Sequence, residues 1–138
     1  MDHISPEKRS YVMSRIRSKD TGPELTVRQL VFAMGFRYRL HAKSLPGKPD
    51  LVFRGKRKVL YVHGCFWHQH AGCRMGEPPA SNLEYWTPKL SRTVERDHEN
   101  VKALRKAGWK ALVIWECQLG QPNRVKARIR RFLEPRKA

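Results

Sequence analysis

The sequence predicts an α/β fold, helices packed as a sandwich about a mixed central sheet, and three stretches carry that expectation. Residues 51–62 hold two short apolar runs, Leu51-Val52-Phe53 and Val59 to Val62, separated by the basic turn Arg54-Gly55-Lys56-Arg57, which is the pattern of an antiparallel hairpin. Residues 109–117 (WKALVIWEC) are nearly continuously apolar and rich in β-branched and aromatic side chains, as a strand buried on both faces requires. Residues 88–107, between them, form the longest helical pattern in the chain. A helical crossover of that length favours parallel pairing with a right-handed connection, so hairpin and crossover together give a sheet of mixed direction.

Taken in order, Ser5-Pro6-Glu7 reads as a cap, a proline at the first helical position and an early acid, opening a helix to about residue 18. Val12, Met13 and Ile16 line one stripe of it among Lys8, Arg9, Arg15 and Arg17, either a small packing face or an arm that touches nucleic acid. Pro23 and Glu24 start a second helix, with Val27, Leu30, Val31 and Met34 at helical spacing and Gly35 as its stop. Phe36 to Leu40 alternates apolar and basic, the mark of a strand buried on one face. Ser81-Asn82-Leu83-Glu84 offers a capping box that leads a short turn carrying Tyr85 and Trp86 up to Pro88. The long helix places Leu90, Val94, Val101 and Leu104 on one stripe, ended by Gly108. A basic helix at about residues 123–133 buries Val125, Ile129 and Phe132. The element order is therefore α-α-β-β-β-α-β-α.

Composition narrows the function. The chain has 138 residues, 29 Lys+Arg against 12 Asp+Glu, and a formal net charge of +17. That excess points to a polyanionic partner, nucleic acid before an anionic membrane. No apolar run approaches the ~20 residues that span a bilayer, and the first residues lack a secretory apolar segment, so a cytoplasmic location is expected. One domain is the simplest division: a basic N-terminal helix or arm over 1–22, a core over 23–117 and a basic helix over 118–138. Three cysteines cannot all pair, and a reducing compartment makes them better read as metal ligands than as disulfides.

Residues 45–73 (LPGKPDLVFRGKRKVLYVHGCFWHQHAGC) concentrate the chemistry. Cys65-x4-His70-x2-Cys73, with Cys117 at the end of the last strand, makes a Cys3His set suited to structural zinc in the 65–73 loop. The alternative is that Cys117 is a buried apolar thiol and the other two are merely reduced. Asp50 and His63 fall at neighbouring strand ends of the hairpin, with His68 close by, and Glu24 and Asp97 are possible supporting acids. Asp97 shares the inward stripe of the long helix, which is expensive for a carboxylate without a partner unless the helix is rotated enough to solvate it. A carboxylate-held Mg²⁺ beside an imidazole suits phosphodiester hydrolysis. Phe66, Trp67 and Trp86 lie in loops or short turns, either as rings that wedge into a base stack or as a cap over the zinc loop.

The blocks LPGKPDLV, HGCFWHQH, Cys73, NLEYW, TVERD and GWKALVIWEC, in this order, resemble the very short patch repair (Vsr) DNA mismatch endonucleases, a branch of the restriction-endonuclease-like PD-(D/E)xK superfamily. The resemblance runs from the Met13 helix to Cys117. It implies a restriction-endonuclease-like three-layer sandwich, and Mg²⁺-dependent nicking of double-stranded DNA 5′ of the thymine in a T·G mismatch left by deamination of 5-methylcytosine. It further implies Asp50 and the Val62 main-chain carbonyl as magnesium ligands, His68 as the catalytic histidine, and Glu24, His63 and Asp97 as supporting groups. Structural zinc at Cys65, His70, Cys73 and Cys117 follows, as do Phe66, Trp67, Trp86 and Met13 entering the DNA. A monomer working in the bacterial nucleoid, in reach of other repair proteins, is the matching expectation. Two features depart from the pattern: Val62 stands where a threonine is familiar, and no D/E-x-K follows the PD acid. A zinc-stabilised module that binds DNA without cutting it, or a nickase with another target, would also use the charge and the Cys/His set.

Overall fold

The computed structural model describes residues 21–77 and 80–134. Helix α1 (Gly22–Ala33) is followed by strands β1 (Arg39–Leu40), β2 (Leu51–Phe53) and β3 (Lys58–His63), helix α2 (Leu83–Lys106), strand β4 (Lys110–Trp115) and helix α3 (Pro122–Leu133). The expected helix over residues 5–18, with Met13, lies outside the described residues.

The sheet order is β1-β2-β3-β4. β2 and β3 pair antiparallel with Leu51 opposite Leu60, whereas β3 and β4 pair parallel, Val59 opposite Ala111 and His63 opposite Trp115. Side-chain alternation sends the two faces of this sheet into separate cores. Leu51, Phe53, Leu60 and Ile114 meet Val27 and Val31 of α1 and Val125, Ile129 and Leu133 of α3. On the other face Val52, Val59 and Tyr61 pack against Leu104 of α2. Three layers result, and because both faces are covered β2 is apolar at every position.

Several elements differ from expectation. β1 shrinks to two exposed residues, since β2 is only three long and offers no further partner; Phe36 and Tyr38 pack on the core instead. β4 lies at the sheet edge, so only Ile114 is fully buried, although both faces are packed as expected, Leu112 and Ile114 on one core and Ala111 and Val113 on the other. The capping box does not form. Asn82 caps α2 in a left-handed conformation (φ 56°) without a side-chain bond, which shifts Glu84 one place too early, and Tyr85 and Trp86 N–H groups donate to the Asn82 carbonyl. The helix thus starts at Leu83 and runs through Pro88, which forfeits a single bond, the one to the Glu84 carbonyl, because it sits near the helix start.

At Gly47 the loop before β2 passes directly over α2 and β3. Its φ is +74°, a Cβ there would lie 2.8 Å from Tyr61 Oη and 2.9 Å from Asn100 Cβ, and Tyr61 Oη donates to the Pro46 carbonyl at 2.9 Å. Gly47→Ala is expected to lower stability by about 1–3 kcal/mol in urea denaturation; an unchanged midpoint would show that the loop is not held this closely.

Candidate active site and metal centre

Where β1, β2 and β3 end, a cavity of about 460 Å³ opens toward α2, lined by His41, Asp50, Val62, His63, His68 and Asp97 among others. Each residue is delivered by a different piece of backbone. Asp50 immediately precedes β2 and accepts from the Val62 N–H at 2.6 Å. Continuing the β2–β3 register past Leu51–Leu60 sets Pro49 opposite Val62. Proline has no N–H to give, so the Val62 main chain at this strand end is released from the ladder.

Glu24 reaches the same place from the first turn of α1, where Thr21 Oγ1 accepts from the Glu24 N–H at 3.3 Å. It is only 2% exposed, and its carboxylate accepts from Arg28 one turn on and from His41 Nε2 at 2.8 Å. One oxygen each from Glu24 and Asp50 and a ring nitrogen of His41 converge within 4.8 Å of one another. Burial, followed by the Glu24 charge, pushes the Asp50 carboxyl up to about 7 against the pull of the Val62 N–H.

The same cavity is also lined by imidazoles. His68 Nδ1 donates to the Asp97 carboxylate at 2.7 Å; since a carboxylate only accepts, a proton sits on Nδ1. His63 stacks flat on His68, ring centres 3.8 Å apart at 5°, and its Nδ1 is buried without a hydrogen bond among the described residues. Burial, then the neighbouring His68, hold His63 down to about 4, Asp97 opposing, so this ring stays neutral near pH 7. The inward placement expected for Asp97 is met by a partner, and exposed Glu95 and Glu99 face water.

Behind the imidazoles, Cys65, His70, Cys73 and Cys117 gather their donor atoms within 4.8 Å. His70 Nδ1 lies 3.7 Å from Cys65 Sγ and 3.4 Å from Cys117 Sγ. Ligands of a tetrahedral zinc, at about 2.3 Å for sulfur and about 2.0–2.1 Å for nitrogen, would stand about 3.6 Å apart, so this donor set fits that ion. Gly76 closes the loop: a Cβ there would lie 2.6 Å from the His70 carbonyl oxygen. The alternative of Cys117 as a buried apolar thiol fails, because it is exposed and turned toward His70.

Phe66, Trp67 and Trp86 form one cluster with ring centres 5.2–5.9 Å apart, all edge-on. Trp86 departs from expectation: it belongs to the first turns of α2 and is 8% exposed, beneath the two loop rings. Sequence reasoning missed His41 and Arg28. The signal available for His41 was the β1–β2 pairing, which sets it opposite Asp50, with its N–H donating to the Asp50 carbonyl at 3.3 Å.

The three-layer fold is one that nuclease catalytic domains share. The catalytic domain of homing endonuclease I-Bth0305I shares the fold, with a TM-score of 0.50 at 22% identity over 82% of this chain and 94% of that one. The sequence model described as "DNA mismatch endonuclease Vsr" matches residues 1–74, and the chain belongs to that family. Relatives include "Type II nicking enzyme V.XorIIP" of Xanthomonas oryzae pv. oryzae, 49% identical over 97% of this chain and 98% of the relative. "DNA mismatch endonuclease Vsr" of Escherichia coli is 40% identical over 80% of this chain and 70% of its own length. The protein is accordingly a DNA endonuclease of the mismatch or nicking type. Among the described residues no helix is long and apolar enough to cross a membrane.

Without added divalent cation the folded protein keeps the Asp50 proton up to about pH 7, whereas the unfolded chain releases it near 3.8. Between these values the folded state binds more protons, so Asp50 makes stability fall as pH rises. Urea denaturation should show Asp50→Asn gaining on the wild type from pH 4 to pH 7; a constant difference would contradict this.

Proposed function

We propose that this protein cuts one strand of duplex DNA on the 5′ side of the thymine in a T·G mismatch, with Mg²⁺ held by Asp50 and the Val62 carbonyl. The observation that supports this reading is that one cavity is lined by both Asp50 and the Asp97-held His68. Asp50 and the Val62 carbonyl would hold a divalent cation there, which would supply neutralisation of the phosphate and leaving oxygens. His68 Nε2 takes the proton of the attacking water, and Asp97 stabilises the imidazolium that forms. The bond to the 3′ oxygen breaks, leaving a 3′-hydroxyl and a 5′-phosphate. His63, neutral and stacked beneath His68, tolerates that new charge without adding its own. Glu24 keeps solvent ordered on the metal side, shielded by Arg28 and His41.

The Cys65, His70, Cys73 and Cys117 set serves as a closed zinc site that fixes the loop bearing His68. Closure matters, for four protein ligands leave no open position for a substrate. Phe66 and Trp67, half-buried over Trp86, present the rings that enter the DNA beside the mismatch, with Met13 joining from the N-terminal arm. Residues 1–22 and the exposed arginines Arg124, Arg130 and Arg131 of α3 grip the phosphate backbone of a single-domain monomer in the bacterial cytoplasm, so binding weakens steeply with salt. The "Type II nicking enzyme" names of V.XorIIP and V.NmeAIP of Neisseria meningitidis favour a second reading, the same nickase confined to one flanking sequence.

On a T·G duplex with Mg²⁺, Asp50→Ala should abolish nicking and His68→Ala should slow it by about 10²–10⁴-fold. Nicking that survives both changes would remove the assigned site. Elemental analysis should find about one zinc per chain in the wild type, lost in Cys73→Ala together with roughly 5 °C or more of melting temperature; wild-type protein that folds fully without bound metal would contradict the zinc assignment.

A further inference from the structure

We propose that His41 is itself a cation ligand, completing a second donor group with Glu24 and Asp50 and tilting this end of the cavity toward Mn²⁺ or Co²⁺ over Mg²⁺. The inference rests on Asp50 as a cation-binding acid and deepens that reading by adding a nitrogen to an otherwise all-oxygen set.

Spacing is the first argument. Two neighbouring ligands of an octahedral ion with bonds of about 2.1 Å stand about 3.0 Å apart. His41 Nε2 and Glu24 Oε2 are 2.8 Å apart, and an Asp50 oxygen lies within 4.8 Å of both. The β1–β2 register sets His41 opposite Asp50, and Glu24 joins them from α1, an element distant in sequence from both.

Backbone strain is the second. His41 adopts φ +45°, in the left-handed region that a residue with a Cβ rarely enters. The conformation leaves the sheet ladder intact, the His41 N–H still donating to the Asp50 carbonyl, while the ring swings onto the buried Glu24 carboxylate. The ring so placed bonds Glu24 and stands within 4.8 Å of an Asp50 oxygen at the cavity lining.

The metal-free arrangement shows what must change. Against the Glu24 carboxylate, Nε2 carries the proton, and Arg28 donates to the same oxygen. To hold a cation, the ring would carry its proton on Nδ1, reached through solvent, leaving the Nε2 lone pair as the donor beside the Glu24 and Asp50 carboxyls. Arg28 opposes the charge of that cation, which makes the position weaker than one bounded by carboxylates alone. An imidazole ligand adds little for Mg²⁺, which prefers oxygen, and more for Mn²⁺ and Co²⁺.

The test uses the full-length, zinc-loaded chain with Mn²⁺ as probe and no DNA. Pulsed electron paramagnetic resonance of bound Mn²⁺ should show nitrogen modulation in the wild type. The modulation should vanish in His41→Asn, a residue that suits a left-handed backbone, and in His41→Gln, with the preference for Mn²⁺ over Mg²⁺ falling about tenfold or more in competition titrations. A nitrogen signal unchanged in both variants, or absent from the wild type, overturns the role of His41. Mn²⁺ binding that survives Asp50→Asn overturns the reading beneath it as well, whereas its loss in Asp50→Asn beside a persisting nitrogen signal in the His41 variants overturns this inference alone.

Discussion

Two carboxyl groups held side by side beneath a sheet rim are the constraint on which the rest of the molecule depends. Glu24 is buried almost completely, and Asp50 beside it is pushed up to about 7, so the pair resists carrying two negative charges until something positive arrives. Folding alone would select against such a pair. The structure supplies compensation from Arg28, His41 and the Val62 N–H. The divalent cation proposed above would add the charge that lets both carboxyls ionise.

The fold delivers that pair and its imidazole counterpart through rigid elements. Because the sheet is sandwiched, β2 and β3 cannot slip by one residue without turning Leu51, Phe53 and Leu60 out of one core and Val52, Val59 and Tyr61 out of the other. Register is thereby fixed, and with it the approach of Asp50 to Val62. His63 extends the Val59–Tyr61 side of β3 toward α2, which explains why it meets His68 and Asp97 and not the α1 acids. The Cys/His group brings the loop carrying His68 against Cys117 just past β4, the parallel neighbour of β3. The Phe66–Trp67–Trp86 cluster and the stacking of His70 on Trp115 pack the same loop, and the zinc proposed above would fix it further.

Much of this was legible in the residues. The hairpin and the parallel crossover follow from two apolar runs, a basic turn and a long helical pattern, all short-range signals. Asp50, His63 and His68 could be placed together once the hairpin was drawn, and Asp97 stood out as an acid on an apolar stripe. His41 was not seen, since its importance arises from a β1 only two residues long, whose pairing is a long-range fact no local periodicity records. The early start of α2 was missed for a different reason. Pro88 looks like a first-turn residue, yet a proline five places into a helix loses only one bond, and burial of Trp86 under Phe66 and Trp67 offsets it. β4 was judged by hydrophobicity alone, which predicts packing on both faces but does not distinguish a central strand from an edge strand whose open side leaves its residues partly exposed.

The most direct measurement is anomalous diffraction from crystals of the His68→Ala protein bound to a T·G duplex in Mn²⁺. Manganese should appear between the Asp50 carboxylate and the phosphate 5′ of the mismatched thymine, with the vacated side-chain space at position 68 facing the phosphorus. A phosphate bound elsewhere on the surface, or manganese that ignores Asp50, would contradict the convergence of acid and imidazole on one scissile bond.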